Sequence, residues 1–297
     1  MLASGSDGQS PGNADPRRLE RDVRAIVTDF GARDHEHADN LERVAAYIED
    51  AMRGAGARVV SQPYAVAGRT YRNVIGSFGP DAGERVVVGA HYDTFAGLPG
   101  ADDNASGVAG VMELARLLSG APLRVRVDLV AFNLEEPPHF RGEFMGSAIH
   151  ARSLQAGRVA LRGIIALEMI GYFSDAPDSQ RYPLPSLSWI YPSRGNFIGV
   201  VGNFASAMLG RKVTGAMRDA TPLPVQVLAA PASLTGVGLS DHASYWDAGY
   251  HAVMITDTAF FRNPHYHTAT DTPDKLDYAR TAQVVDGVRA AVLALAR

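Results

Sequence analysis

The sequence predicts an α/β fold: a single-domain three-layer sandwich with a central mixed, largely parallel β-sheet flanked by helices. Three observations carry that prediction. Apolar runs of strand length alternate along the chain with segments of helical periodicity. The strongest runs are apolar at consecutive positions, Val86-Val87-Val88 among them, as strands covered on both faces require. No internal repeat and no linker between two cores interrupts residues 17–297. With 297 residues, 46% of them hydrophobic, the chain has ample material for one large core.

Met1 to Pro16 is rich in Gly, Ser, Asp and Pro, lacks the apolar core of a signal peptide, and is expected to be a disordered tail. Arg17 to Phe30 carries Leu19, Val23, Ile26, Val27 and Phe30 at helical spacing. A second helix is predicted from about Asn40 to Arg53, stopped by Gly54 and Gly56; Asp39 is its expected cap, and His35-Glu36-His37 belongs to its approach. Strands follow at Arg58 to Val66, Arg72 to Phe78 and Glu84 to Ala90. Gly107 to Leu118 reads as a helix, Val125 to Asn133 as a strong strand, Phe144 to Ser153 as a helix and Gly163 to Ile170 as a buried strand. Residues 173–195 hold Pro177, Pro183, Pro185 and Pro192 and form a long irregular excursion. Further strands are predicted at Phe197 to Val201, Val225 to Leu228 and Ala252 to Thr256, and a last helix at Ala279 to Leu295.

Net charge is -4 and no long basic run occurs, which argues against nucleic acid or an anionic membrane as partner. No apolar stretch reaches the roughly 18 residues of a membrane span. The chain has no cysteine, so disulfides and thiolate metal sites are excluded and any metal must be held by His, Asp and Glu. Secreted, periplasmic and cytoplasmic locations all fit, and oligomeric state is not encoded legibly.

Sites in open α/β sheets gather beyond the carboxyl ends of the strands. Three predicted central strands run there into ionisable groups: one into His91-Tyr92-Asp93, one into Glu135-Glu136, one into Glu168. Burying such charges unpaired is very costly, and a shared cation explains their convergence. His91 and Asp93 lie on the same face of an extended segment, and Asp93 is placed to hold the second ring nitrogen of His91. Gly100-Ala101-Asp102-Asp103-Asn104-Ala105-Ser106-Gly107 precedes a helix. Asn104 or Ser106 suffices as its cap. The paired aspartates exceed that need: one carboxylate can bridge two metals while its neighbour orients a histidine. In Glu135-Glu136 one side chain can bind metal while the other acts as general base. Among Asn263 to Thr272, His265 is taken as structural, and His267 gains weight only through the other ligands.

These segments together resemble the co-catalytic dizinc aminopeptidases, the twenty-eighth metallopeptidase family. The matching motifs are GAHYD at 89–93, PGADDNASGVA at 99–109, NLEEPP at 133–138, MGS at 145–147, LEMIGY at 167–172 and YHTATDT at 266–272. They stand in the family's order and span roughly residues 30–297. The resemblance implies a zinc peptidase catalytic domain over 17–297 that holds two zinc ions and releases N-terminal amino acids from peptide substrates. One zinc would be held by His91 and Glu168 and the second by Glu136 and His267, with Asp102 bridging both. Glu135 would be the general base for a water between the ions, Tyr266 an oxyanion-stabilising hydroxyl, and Asp93 and Asp103 the residues that orient the ligands. A cis peptide is implied at Asp102-Asp103. Glu168 departs from the family's commoner Asp, and Pro137-Pro138-His139-Phe140 replaces a shorter glycine-containing sequence.

Two other functions remain open at this level. A glutaminyl cyclase on a similar scaffold would use a single zinc at Asp102, Glu136 and His267, but usually has tryptophan where Tyr266 stands. A non-catalytic binding domain would be expected to have lost ligands. Ser240-Asp241-His242 names triad residue types, yet sequence neighbours cannot converge as a triad requires; Asp241 and His242 are instead candidates for the substrate pocket. Gly8-Gln9-Ser10-Pro11-Gly12 matches a nucleophile elbow by letter but has no preceding strand.

Overall fold

A computed structural model describes residues 12–297; the letter match at 8–12, save its last glycine, and most of the expected tail lie outside the described residues. The last residues of that tail are docked rather than loose. Ala14 is buried and donates its N–H to Asp286 Oδ1, Asp15 donates to Glu113 Oε1, and Asp15 caps the first helix through the Arg17 N–H.

Eight strands form one sheet in the order β1-β2-β4-β3-β5-β8-β6-β7. They are β1 (Arg58–Val66), β2 (Arg69–Phe78), β3 (Arg85–His91), β4 (Arg126–Phe132), β5 (Leu161–Glu168), β6 (Ile198–Gly202), β7 (Val225–Ala229) and β8 (Ala252–Thr256). The central strands β4, β3, β5 and β8 pair parallel, as do β6 and β7, while β1–β2, β2–β4 and β6–β8 are antiparallel. Pro63 sits in β1, an edge strand, where a missing N–H interrupts nothing.

Five helices cover one face: α1 (Pro16–Thr28), α2 (Ala38–Gly54), α3 (Gly107–Leu118), α5 (Ala207–Ala220) and α7 (Tyr278–Leu295). The other face carries α4 (Gly146–Ala156) and α6 (His242–Asp247). The valine run of β3 shows why its residues are consecutive: Val86 and Val88 join the larger core, and Val87 packs with Phe132, Leu154 and Tyr245 beneath α4 and α6.

Two helices went unpredicted. In α5 the buried Leu209, Val213 and Met217 follow an i, i+4 stripe, a signal diluted by Gly210 and Gly215; α6 is too short for periodicity to show. Asp39 does not cap α2. His37 holds that position without a side-chain bond, and Asp34 accepts from the Glu36 N–H and contacts His37 Nδ1 at 2.6 Å. Residues 173–195 are irregular apart from a short 3-10 turn at Pro185–Trp189.

Candidate metal centre

The carboxyl ends of β3, β4 and β5 meet at one edge of the sheet and deliver His91, the Glu135-Glu136 pair and Glu168 to a common, buried cluster. The loop of residues 263–272 brings His267 to the same place. Backbone geometry at these ends is held by the surroundings. Leu134 (φ 60), Met169 (φ 51) and His267 (φ 54) occupy the left-handed region, which is uncommon for non-glycine residues.

Asp103, not Asp102, stands at the middle. Its Oδ1 lies 3.3 Å from His91 Nε2 and its Oδ2 3.1 Å from His267 Nε2. Glu168 Oε2 is 3.3 Å from His91 Nε2, and Glu136 Oε1 is 3.2 Å from His267 Nε2. The donors therefore form two overlapping groups, His91–Asp103–Glu168 and Asp103–Glu136–His267, joined by one carboxylate. Glu135 Oε2 is 4.0 Å from His91 Nε2, alongside both groups and part of neither.

Asp102 faces the other way. Its carboxylate accepts from Gly171 N at 2.9 Å and Asn263 Nδ2 at 2.7 Å, and it is fully buried beside Asp257, which together with desolvation pushes its pKa well up. The turn that sends two adjacent side chains in opposite directions starts at Gly100 (φ +57), where a Cβ would lie 2.2 Å from the Asp103 carbonyl. Asp271 closes it, accepting N–H bonds from both Asp102 and Asp103. The cis peptide follows Asp103, at Asp103-Asn104, one residue beyond the expected position.

Asp93 carries a task beyond the expected one. His91 Nδ1 lies 3.1 Å from the Asp93 backbone carbonyl, with the carboxylate farther off at 3.5 Å. That carboxylate accepts the N–H groups of Glu135 and Glu136 at 3.1 and 3.0 Å, so it orients the glutamate pair. Glu168 is braced by Ser240 Oγ, which donates to Oε2 at 2.7 Å, and the Asn104 amide reaches the same oxygen at 3.4 Å. The side chain that is one methylene longer than the family's usual Asp is thereby pinned.

His267 is clasped between rings. Phe95 stacks on it at 4.1 Å between centroids and Tyr266 at 3.8 Å, both nearly parallel; two rings at those distances must occupy opposite faces. Tyr266 also lines the cavity that opens beside Glu168. Asp241 and His242 do not line that cavity. Both are buried; His242 Nε2 donates to the Val237 carbonyl, and Ser240 bonds Glu168 rather than His242.

The electrostatics mark a site that calls for cations. Burial pushes Glu135 well up, with Glu136 and Glu168 adding to the effect, and desolvation with Asp103 nearby lifts Glu136 to about 7. Burial opposes charge on His267, but contacts with Asp103 and Glu136 outweigh it and hold the imidazole at about 9. Four acids and two imidazoles thus crowd one buried volume. Moreover, among the described residues the buried His91 Nε2 makes no hydrogen bond, although Asp103 Oδ1 and Glu168 Oε2 each lie 3.3 Å away. Donors bound at about 2.0–2.1 Å around a tetrahedral zinc stand roughly 3.3 Å apart, the separation seen here. Oxygen and imidazole donors with no sulfur suit zinc, and the residues present fit the ions.

The sequence profile of Peptidase family M28 matches residues 73–292, and the chain belongs to that peptidase family. The protein YfbL of Escherichia coli is 45% identical over 287 residues, covering 94% of this chain and 88% of that protein. Leucine aminopeptidase 1 of Fusarium vanettenii is 27% identical over 250 residues, covering 80% of this chain and 58% of the relative. Among solved structures, LapB from Legionella pneumophila superposes with a TM-score of 0.75 at 20% identity, over 95% of this chain and 72% of its own. A glutaminyl cyclase from Bacteroides thetaiotaomicron does so with a TM-score of 0.71 at 21% identity, over 95% and 98%. At those identities the structures share the fold.

Proposed function

We propose that the chain is a two-zinc aminopeptidase. The observation that carries this reading is the single carboxylate of Asp103 between two imidazoles, each group completed by its own glutamate. His91, Asp103 and Glu168 would hold one ion, and Asp103, Glu136 and His267 the other. When bound, zinc supplies a Lewis acid and lowers the pKa of a nearby water. Glu135, oriented by Asp93 through its own N–H, takes the proton of the attacking water and returns it to the departing amine. Its burial raises its proton affinity, which suits a group that must accept a proton near neutrality. Tyr266, which lines the cavity beside Glu168, would donate its hydroxyl to developing negative charge. Release of single residues from the amino terminus is supported by the names of the curated relatives.

The cyclase reading has support in the shared fold and would need only the Asp103–Glu136–His267 group. A second complete group around His91 weighs against it. Glu135→Gln should reduce hydrolysis of aminoacyl p-nitroanilides by at least about 10³-fold while metal analysis still finds about two zinc ions per chain. A protein that retains one zinc and cyclises N-terminal glutamine would sink the peptidase reading.

A further inference from the structure

The carboxyl end of β3 serves both donor groups. It delivers His91 to one, and just beyond it Phe95 reaches the other, where its ring stacks on His267. Phe95–Gly97 forms a 3-10 turn, closed by the Leu98 N–H on the Phe95 carbonyl at 2.9 Å. Gly97 lets that turn lie against the segment before α2: φ there is +70, and a Cβ would come within 3.0 Å of Asp34 Oδ2.

Packing does not account for Phe95. Its side chain is half-buried, and among the described residues it belongs to none of the apolar clusters of the core. Its ring contact among those residues is His267, at 4.1 Å between centroids and 6° between planes. Tyr266 covers the opposite face of His267 at 3.8 Å and 16°, and Phe260 contacts Tyr266 in turn at 5.5 Å.

The two candidate ligand histidines are oriented by different means. His91 directs Nδ1 at the Asp93 carbonyl, 3.1 Å away, the usual device for fixing a ligating ring. His267 has no such bond. Its contacts with Asp103 and Glu136 are both made by Nε2, and among the described residues no protein group bonds its Nδ1. Its backbone stands at φ 54 in an irregular loop. What holds the plane of the imidazole is the pair of flat faces on either side.

The stacking also carries a charge signature. Ordinary aromatic pairs stand about 4.5–7 Å apart between centroids, offset or edge to face, because their negative faces repel. Nearly parallel planes at 4.1 and 3.8 Å put face over face. An imidazole whose electrons are drawn toward a bound cation relieves that repulsion, and both neighbouring faces then attract it.

Resting on the two-zinc reading, we propose that Phe95 is a positioning residue for His267. It fixes the imidazole plane so that Nε2 meets the Asp103–Glu136 group, and it sets the affinity of that ion and not of the other.

Chelator competition on the full chain should resolve two zinc-binding steps. Phe95→Leu keeps an apolar side chain but removes the ring. It should weaken one step about 10- to 100-fold, the range for a ligand-orienting group, and leave the other unchanged. His267→Ala should weaken the same step, and Phe95→Leu added to it should have no further effect. Phe95→Tyr should bind both ions as the wild type does. Melting in EDTA should be alike for wild type and Phe95→Leu, because no apolar cluster loses a member. If Phe95→Leu weakens both steps alike or neither, lowers the melting temperature in EDTA, or is matched by Phe95→Tyr, the clamp is overturned while the two-zinc reading stands. A protein that binds a single zinc, weakened by Phe95→Leu but not by Phe95→Tyr, keeps the clamp and sinks the two-zinc reading. No zinc binding, or a single zinc indifferent to Phe95, overturns both.

Discussion

Asp102 and Asp103 are chemically identical neighbours with opposite tasks, and the difference is made entirely by backbone direction. Asp103 sits between the two imidazoles, whereas Asp102 accepts from Gly171 and Asn263. The consequence is testable. Asp103→Asn should drop zinc content well below two per chain and activity by at least about 10²-fold. Asp102→Asn should leave zinc content near two and instead lower stability by roughly 1–3 kcal/mol, the range for disturbing a buried hydrogen-bonded group. Metal analysis and thermal melting of the two variants separate them; the reverse pattern would restore Asp102 to the bridging place. This assignment was illegible in the sequence for a physical reason. A loop has no fixed side-chain alternation, and the deciding contacts, Gly100 at positive φ and the Asp271 carboxylate, come from the turn itself and from a residue far along the chain. His91 and Glu168 were readable because each ends an apolar strand, and Glu136 because it closely follows one, where stability alone would choose otherwise.

At the scale of elements, the loops after β3 converge on one buried cation. Arg33 is completely buried between α1 and α2 and donates to the carbonyls of Ile26, Tyr92, Pro99 and Gly100. It thus ties the segment beside His91 to the turn that carries Asp103. Among the described residues no carboxylate bonds it directly, and desolvation lowers its pKa to about 10 despite Asp271, Asp93 and Asp103 nearby. Arg33→Met removes the clamp and should weaken zinc binding about 10- to 100-fold in chelator competition, the range for a ligand-orienting residue; Arg33→Lys should recover only part, lacking the planar fork. Equal zinc affinity in all three proteins would make Arg33 a purely structural group. Most strands could be read from the sequence because burial on two faces leaves an unbroken apolar run. The α5 helix could not, with two glycines in its pattern, nor could the cavity, whose lining draws on four strands far apart in the chain.

Over the whole molecule, the layer of α4 and α6 stores a pH dependence separate from the metals. His150 and His242 are fully buried, and desolvation lowers each from 6.5 to about 4. The unfolded chain binds protons there at higher pH than the folded one does. Their contribution is therefore fully present above pH 6.5 and is lost as pH falls toward about 4, by roughly 1.4 kcal/mol per pH unit for each imidazole. Thermal melts of metal-free protein in EDTA should show this decline, and His150→Gln should flatten about half of it. A slope unchanged by that substitution would place the acid sensitivity elsewhere. Spatial separation within the sheet has a consequence for how such a protein diversifies. The charged cluster hangs from β3, β4, β5 and the loop of His267, while the distal reach of the cavity belongs to β6, β7 and the excursion over them. Substitutions in that outer half that spare Gln180 and Phe197, the partners of the buried Arg262, alter steric fit without disturbing a buried charge. Descendants of this scaffold can thus change what the cavity admits through small, individually tolerable steps, with the buried charged cluster carried along intact.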